Sequence, residues 1–326
     1  MTYVGIDVAK AKLDVAVKTT KKPRHLTVEN TEKGFAKLVG WLAKYPKNEL
    51  HVCLEATSTY GVDCALALSN QGIQVSVVNP FLVKAYAESE LRRNKTDKLD
   101  AALIADFCAE KSPRSWTPPS ETEQRFTSLY RRWETLKVIK AQELNRFESE
   151  RCEDTLVSIT SHLSYLDEQL SAVEAALDCL VEQTPQLQQQ LRLLSSIPGV
   201  GKVTAYLLMA EVDFQVFTAA NQLVAFAGLN PKHNQSGNHK GRVTLSKKGS
   251  SRLRKGLYFP AITAGQHNPL IRPLWLRLEH EGKCSLLIIA AAMRKLLHLA
   301  FGVIKTNTPF DPHYLDNHKT KALQTA

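Results

Sequence analysis

Over residues 1–110 the spacing of apolar and polar positions changes period repeatedly. YVGIDVA, KLDVAVKT and RHLTVEN alternate residue by residue, as strands with one buried face do, and their short joins predict an antiparallel meander. TEKGFAKLVGWLAKY then takes helical spacing, and ELHVCLEAT returns to strand. TYGVDCALALSNQG reads as a helix stopped by Gly72, and IQVSVVNP as a strand stopped by Pro80. VKAYAESE and DKLDAALIADFCAEK are helical, giving the order β-β-β-α-β-α-β-α.

That order is the order of the ribonuclease H fold, so an α/β domain with a RuvC-like sheet is expected over residues 1–112. The pattern then changes character. No glycine occurs between Gly72 and Gly199 and no proline between Ser120 and Thr184, which predicts long helices. Leu156, Ile159, Leu163, Leu166, Leu170, Val173, Leu177 and Leu180 alternate three- and four-residue steps, the seam of a coiled coil. A helical coiled-coil arm is therefore expected over 113–190, introduced by SPRSWTPPS, its partner being either the same chain folded back or, the favoured reading, a second copy of the chain. LLSSIPGVGKVTAYLLMAEV reads as a helix-hairpin-helix, whose tight turn at Gly199 and Gly201, with Lys202 beside it, would meet a nucleic-acid phosphate. It opens a mainly helical C-terminal domain over 191–326, closed by the apolar helix SLLIIAAAMRKLLHLAFGVIK.

Composition changes the picture in one place. With 44% hydrophobic and 23% charged residues the chain is ordinary globular protein, and no apolar run or leader-like start predicts a membrane, so a cytoplasmic protein is expected. Six scattered cysteines without a C-x-x-C pair exclude a zinc ribbon or disulfide framework and are expected to be reduced and mostly buried. The net charge of +10 is concentrated. Between Asp213 and Glu279 there is no acidic residue, while ten Lys and Arg fall in that interval. A block of one sign points to a phosphate-rich partner. Lys240, Arg242, Lys247, Lys248, Arg252, Arg254 and Lys255 are the expected contacts, with Arg92, Arg93 and Lys95 in the earlier run LRRNK.

The stretch KTDKLDA sets Asp97 and Asp100 three residues apart on one helix face. They could cap the helix start, or they could ligate a metal ion. Asp7 in GIDVAK and Glu55 in CLEATSTY favour ligation, because the ribonuclease H topology would bring all four acids together. Clustered carboxylates repel unless divalent cations neutralise them, and two Mg²⁺ ions are the expected cofactor. Asp14 reads as exposed on the second strand, and Asp63 and Asp106 as helix-surface acids.

GIDVAKAKLDV, EATSTY, NPFLVKAYAESELRRNKTDKLDAALIADF, SIPGVGKVTAYLLMAEV and LVAFAGLNPKHNQSGNHKGRVTLSKKGSSRLRKGLY together resemble the DEDD transposases of the IS110 insertion-sequence family, the bridge-RNA-guided recombinases. The likeness runs over nearly the whole chain. It implies that Asp7, Glu55, Asp97 and Asp100 bind Mg²⁺, and that Ser236 of NQSGNHKG is the nucleophile of a phosphoserine intermediate. It also implies a guide RNA encoded beside the gene, donor and target DNA as substrates, and a homo-oligomer, a dimer or tetramer, in which acids and serine come from different protomers. One departure is Ser58, where the family has glycine in the turn after the glutamate. Without the resemblance, Ser236 would be a turn residue, with His233 and His239 beside it as backbone or phosphate contacts. Two other readings follow from the residues. One is a Mg²⁺-dependent, junction-resolvase-like nuclease that does not use the serine. The other is a nucleic-acid-binding scaffold without catalysis.

Overall fold

The computed structural model describes residues 1–18, 23–55, 59–90, 97–232, 235–236, 239–240 and 244–314, with backbone alone at Thr59, Phe81, Asp97, Lys98, Gln235, Ser236, His239 and Lys240. These residues divide into two compact units, Met1–Pro119 and Ser120–Ala326.

The first unit is built on strands β1 (Thr2–Val8), β2 (Lys12–Val17), β3 (Arg24–Glu29), β4 (Leu50–Glu55) and β5 (Gln74–Val78), in the order β3-β2-β1-β4-β5. The first three form the expected antiparallel meander, while β4 and β5 run parallel to β1. This is the ribonuclease H-like arrangement. Period two decides which face each residue takes. Val4, Ile6 and Val8 join Leu13, Val15 and Val17 against Phe35, Leu38 and Leu42 of α1 (Glu32–Leu42) and Cys64 and Leu68 of α2 (Val62–Ser69). On the other face Cys53 and Val78 pack on Val83 and Tyr86 of α3 (Pro80–Ser89) and Leu103, Ile104, Phe107 and Cys108 of α4 (Asp97–Lys111).

The unit ends later than residue 112. His51 Nε2 lies 2.7 Å from Ser76 Oγ, which in turn donates to the carbonyls of Pro113 and Arg114 at 3.0 and 2.9 Å. Since the hydroxyl has one proton and shares it between those carbonyls, His51 must donate at Nε2. The Trp116 amide then bonds to Val75 O at 2.7 Å. These contacts strap residues 113–116 along β5.

In the second unit Ser120 and Glu123 form a reciprocal capping box that starts α5 (Glu121–Ser149). Helix α6 (Glu153–Gln183) lies beside it, and the heptad positions Ile159, Leu166, Leu177 and Leu180 are buried. The seam's partner is therefore α5 of the same chain, because a short connection at residues 150–152 brings the two helices together before any second copy is needed. Glu143 is buried within this hairpin and ion-paired to Arg146 at 2.6 Å, with His162 Nδ1 3.4 Å from its carboxylate.

The hairpin is not a separate domain. Phe126, Tyr130 and Trp133 of α5 and Leu177, Leu180 and Val181 of α6 share one core with α7 (Pro185–Ser195), α8 (Lys202–Glu211), α9 (Ala220–Phe226), α10 (Ser251–Gly256), α11 (Tyr258–His267) and α13 (Ser285–Thr306). Short strands β6 (Pro231–Lys232), β7 (Gln235–Ser236), β8 (His239–Lys240) and β9 (Thr244–Leu245) follow α9, and α12 (Arg272–His280) precedes α13. By length and composition α13 could cross a membrane, but Ile289, Met293, Leu296, Leu297 and Ala300 are buried in this core. Cys53, Cys64 and Cys108 are buried as expected, whereas Cys152, Cys179 and Cys284 are exposed.

Candidate active site and nucleic-acid interface

Strand register places the first two acids. The parallel ladder of β1 and β4 pairs Tyr3 with His51, Gly5 with Cys53 and Ile6 with Leu54, so Asp7 and Glu55 are the next residues of adjacent strands. Ile6 and Leu54 face the α1 and α2 core, so their neighbours Asp7 and Glu55 take the face covered by α4.

The course of α4 then brings Asp100 to the same end of the sheet. A Cβ on Gly5 would lie 2.1 Å from Ala101 O and 2.3 Å from Ala105 N, so only glycine lets this helix seat on the strand. Further along α4, Asp106 pairs with Lys18 at 3.0 Å, and the Lys18 amide bonds to Tyr3 O at 2.9 Å. Cys108 Sγ donates to His51 O at 3.7 Å. Walking back from Cys108 toward Asp97 is thus walking forward from Tyr3 toward Asp7. Asp97 opens the helix as its first residue, one turn before Ala101, and Asp7, Glu55 and Asp100 are all half-buried.

Among the described residues no group of three His, Cys, Asp or Glu side chains stands close enough to hold an ion, the Asp97 side chain lying outside that description. What these residues offer is an all-oxygen, all-carboxylate donor set, which suits a hard cation such as Mg²⁺.

Two further polar residues belong to this end of the sheet. Asp14 is the cross-strand partner of Asp7 and is 5% exposed, not on an open face as its alternation implied, because α4 covers β2 as well. Thr27 Oγ1 donates to it at 2.6 Å and Lys12 pairs with it at 2.9 Å. Asn30 Nδ2 donates to Ala9 O and to Tyr60 O, each at 3.0 Å. Both partners are carbonyls, so only the amide nitrogen can face them. Asn30 thereby joins the turn after Asp7 to the turn that follows Glu55. Alternation reads Asp14 as an exposed strand acid without a role, and nothing in the sequence marks Asn30: an Asn between a strand and the N-cap Thr31 looks like any loop residue.

The basic block divides when its contacts are followed. Lys202 lies 2.6 Å from Asp178 and 3.6 Å from Glu174, and Tyr206 OH donates to Asp178 at 2.6 Å. Burial opposes ionisation of Asp178, but these hydrogen bonds outweigh it and hold the carboxyl below its usual range, while the bond to Asp178 raises Lys202. Gly199, at φ +98°, has no room for a Cβ, which would meet Ala264 Cβ at 2.6 Å; its turn packs on α11. Gly201 caps α8 with open space around it.

Arg252 pairs with Glu211 at 3.1 Å and Glu134 at 3.7 Å. Arg254 Nη1 donates to the carbonyls of Ala227, Gly249 and Ser250. Lys202, Arg252 and Arg254 are thus tied to neighbouring carboxylates or carbonyls of the fold; Lys247, Lys248 and Lys255 are exposed, as are Lys202 and Arg252. Ser236 and Lys240 fall on a small antiparallel hairpin, Ser236 opposite His239, rather than in plain loop. Arg92, Arg93, Lys95, His233 and Arg242 lie outside the described residues.

A ribonuclease H-like sheet with carboxylates at one end of its central parallel strands and at the start of the crossing helix defines a DEDD-type enzyme of phosphoryl transfer. Comparison with known proteins agrees. Residues 4–150 match the family model of the DEDD transposases of IS110, described as "Transposase", and residues 191–276 the model described as "Transposase IS116/IS110/IS902 family". The pilin gene-inverting protein of Moraxella bovis is 35% identical over 95% of this chain and 98% of its own. The transposase for insertion sequence element IS1111A of Coxiella burnetii is 27% identical over 65% of this chain and 66% of its own. Among solved structures, T. thermophilus RuvC in complex with a Holliday junction substrate covers 36% of this chain and 99% of its own at 16% identity and a TM-score of 0.28. The chain belongs to the IS110 family of DEDD transposases. It is an enzyme of DNA cleavage and rejoining.

Proposed function

We propose that this transposase is an RNA-guided, site-specific recombinase that cuts and rejoins donor and target DNA through a phosphoserine on Ser236, assisted by Mg²⁺. The observation that carries the acid half of this reading is the register that sets Asp7 beside Glu55 under the start of α4. Asp7, Glu55, Asp97 and Asp100 would hold the ion, which when bound polarises the scissile phosphate and eases ionisation of an attacking hydroxyl. Ser236 Oγ attacks phosphorus: the Oγ–P bond forms as one P–O bond of the backbone breaks, and the leaving strand departs with its oxygen, which takes up a proton in exchange for the one Oγ loses to solvent. A strand hydroxyl attacking the phosphoserine reverses the step, so the phosphodiester bond is exchanged without an external energy source. Lys240, Arg242, Lys247, Lys248 and Lys255 neutralise backbone phosphates. The reading further includes a guide RNA, two DNA partners, a homo-oligomer supplying acids and serine from different protomers, and action in the cytoplasm; family membership supports DNA as the substrate.

The test is a reconstituted reaction of the protein with its flanking-region RNA, Mg²⁺, donor and target DNA, read by sequencing new junctions. Recombinant junctions should need the RNA, Asp100 and Ser236. Cut but unjoined DNA made equally well by wild type and Ser236→Ala would replace this reading with the junction-resolvase-like nuclease.

A further inference from the structure

We infer that Phe259 is a stacking platform for an unpaired base of the bound nucleic acid. This inference rests on the reading that the C-terminal unit handles nucleic acid. Phe259 is 73% exposed, the highest value of any large apolar side chain among the described residues. Isolated apolar residues on a surface are ordinary, and Leu286 and Val157 are nearly as exposed at 69% and 68%. Those two are aliphatic and offer no π face. Three features set Phe259 apart.

The first is its neighbours. Lys255 is exposed four residues earlier, and Leu257 between them keeps right-handed helical backbone, with its amide bonded to Leu253 O and its carbonyl to Ala261 N. Lys255 and Phe259 therefore project from one helical face, followed at four- and then three-residue spacing by exposed Thr263 and Gln266. Arg272 Nη1 donates to Gln266 O at 3.0 Å, which puts a second cation at the far end. From Lys255 to Gln266 the stripe runs about 16 Å along the helix axis.

The second is rigidity. Tyr258 packs against the core, and its ring meets Phe259 edge-to-face at 5.3 Å and 88°. A braced ring gives up little freedom when a base lies on it. The third is charge. The stripe sits wholly inside the interval from Asp213 to Glu279 that has no acidic residue. An aromatic between two cations, in a segment without a carboxylate of its own, suits a strand whose phosphates meet Lys255 and Arg272 while a base stacks on the ring. Lysine, the residue next to the ring on this face, is depleted from the cores of protein–protein interfaces.

Full-length protein would be titrated with short fluorescent oligothymidylate, oligouridylate and duplex DNA, following anisotropy at several salt concentrations, with Phe259→Leu, Phe259→Tyr and Lys255→Ala. Phe259→Leu should weaken binding of the single strands about tenfold or more at every salt concentration, leaving duplex affinity and the salt slope unchanged. Phe259→Tyr should restore binding to within about twofold, because it restores the π face. Lys255→Ala should instead lower the salt slope by about one. A larger loss with the DNA or the RNA strand identifies which of them occupies the platform. Unchanged single-strand binding by Phe259→Leu overturns the inference, as does a loss that tyrosine fails to restore. A shift of Phe259→Leu to a smaller species in sedimentation, with binding intact, would assign the ring to contact with another copy. Wild type that binds none of the three probes would sink the underlying reading of this unit, a failure distinct from those.

Discussion

The two ends of this enzyme's chemistry are written into the chain in opposite ways. In the first unit, acids that look ordinary one by one are set at one end of the sheet by register and by the course of α4. In the second, cations that look alike in sequence are sorted by their neighbours into holders of the fold and candidates for a partner. A carboxylate on a strand has its face dictated by a period of two and its depth by pairing with the next strand. An arginine on a long flexible stem takes the nearest carboxylate or carbonyl cluster, which no short stretch of sequence reveals.

The sharpest way to break this comparison is to remove the acids. Asp7→Asn and Asp100→Asn should lower strand cleavage by about a hundredfold or more while leaving the thermal midpoint within a few degrees. Single-turnover cleavage beside a melting curve checks both, and a cleaving Asp100→Asn would return that residue to a helix-start role. Asn30→Ala should cost about tenfold in cleavage, through loosened turns after Asp7 and Glu55, and about 1 kcal/mol in stability. Its distinguishing readout is Mn²⁺ affinity by paramagnetic resonance, which should weaken; unchanged affinity would reduce Asn30 to a loop fastener. Gly5→Ala should destabilise the first unit by about 1–3 kcal/mol, because its Cβ meets backbone that cannot yield cheaply.

The cations sharpen the other side. Arg254→Ala should cost about 1–3 kcal/mol in urea unfolding, since three carbonyls lose their donor, whereas Lys255→Ala should leave stability within about 0.5 kcal/mol and lower the salt slope of nucleic-acid binding. Equal stability losses at both positions would erase the division.

The smallest effect concerns Lys202 and Asp178. The lowered carboxyl contributes stability above its unfolded pKa that is lost as pH falls through its folded value. The raised ammonium contributes below its unfolded pKa and loses that as pH rises through its folded value. Both side chains are at least a third exposed, so Asp178→Asn should cost no more than about 1 kcal/mol near neutral pH, and the gap to wild type should close in acid. Melting temperatures measured from neutral pH into acid check this.

How much was legible follows from the same physics. The five strands and their order could be read because alternation and helical spacing are local signals, and α4 runs over the expected DKLDAALIADFCAEK. Asp14 was misjudged because alternation gives the face of a residue and not what covers that face. The coiled-coil partner was open between this chain and a second copy, the second copy being favoured, because a heptad seam specifies an apolar partner without saying which helix supplies it; α5 supplies it. Glycine in a helix turn has two uses, close approach to a phosphate or close packing of protein, and Gly199 takes the second. Asn30 left no signal, since its role depends on two carbonyls 21 and 30 residues away.

The most direct measurement traps the covalent step itself. Wild type, Ser236→Ala and Asp100→Asn would be incubated with Mg²⁺, guide RNA and a target carrying a nick that lets the leaving strand diffuse away, then resolved on a denaturing gel. The account predicts a protein–DNA adduct for wild type, mapped to the peptide containing Ser236, and none for either variant although both still bind the nucleic acids. An adduct formed as well by Ser236→Ala, or cleavage by wild type with no adduct at any time, would contradict it.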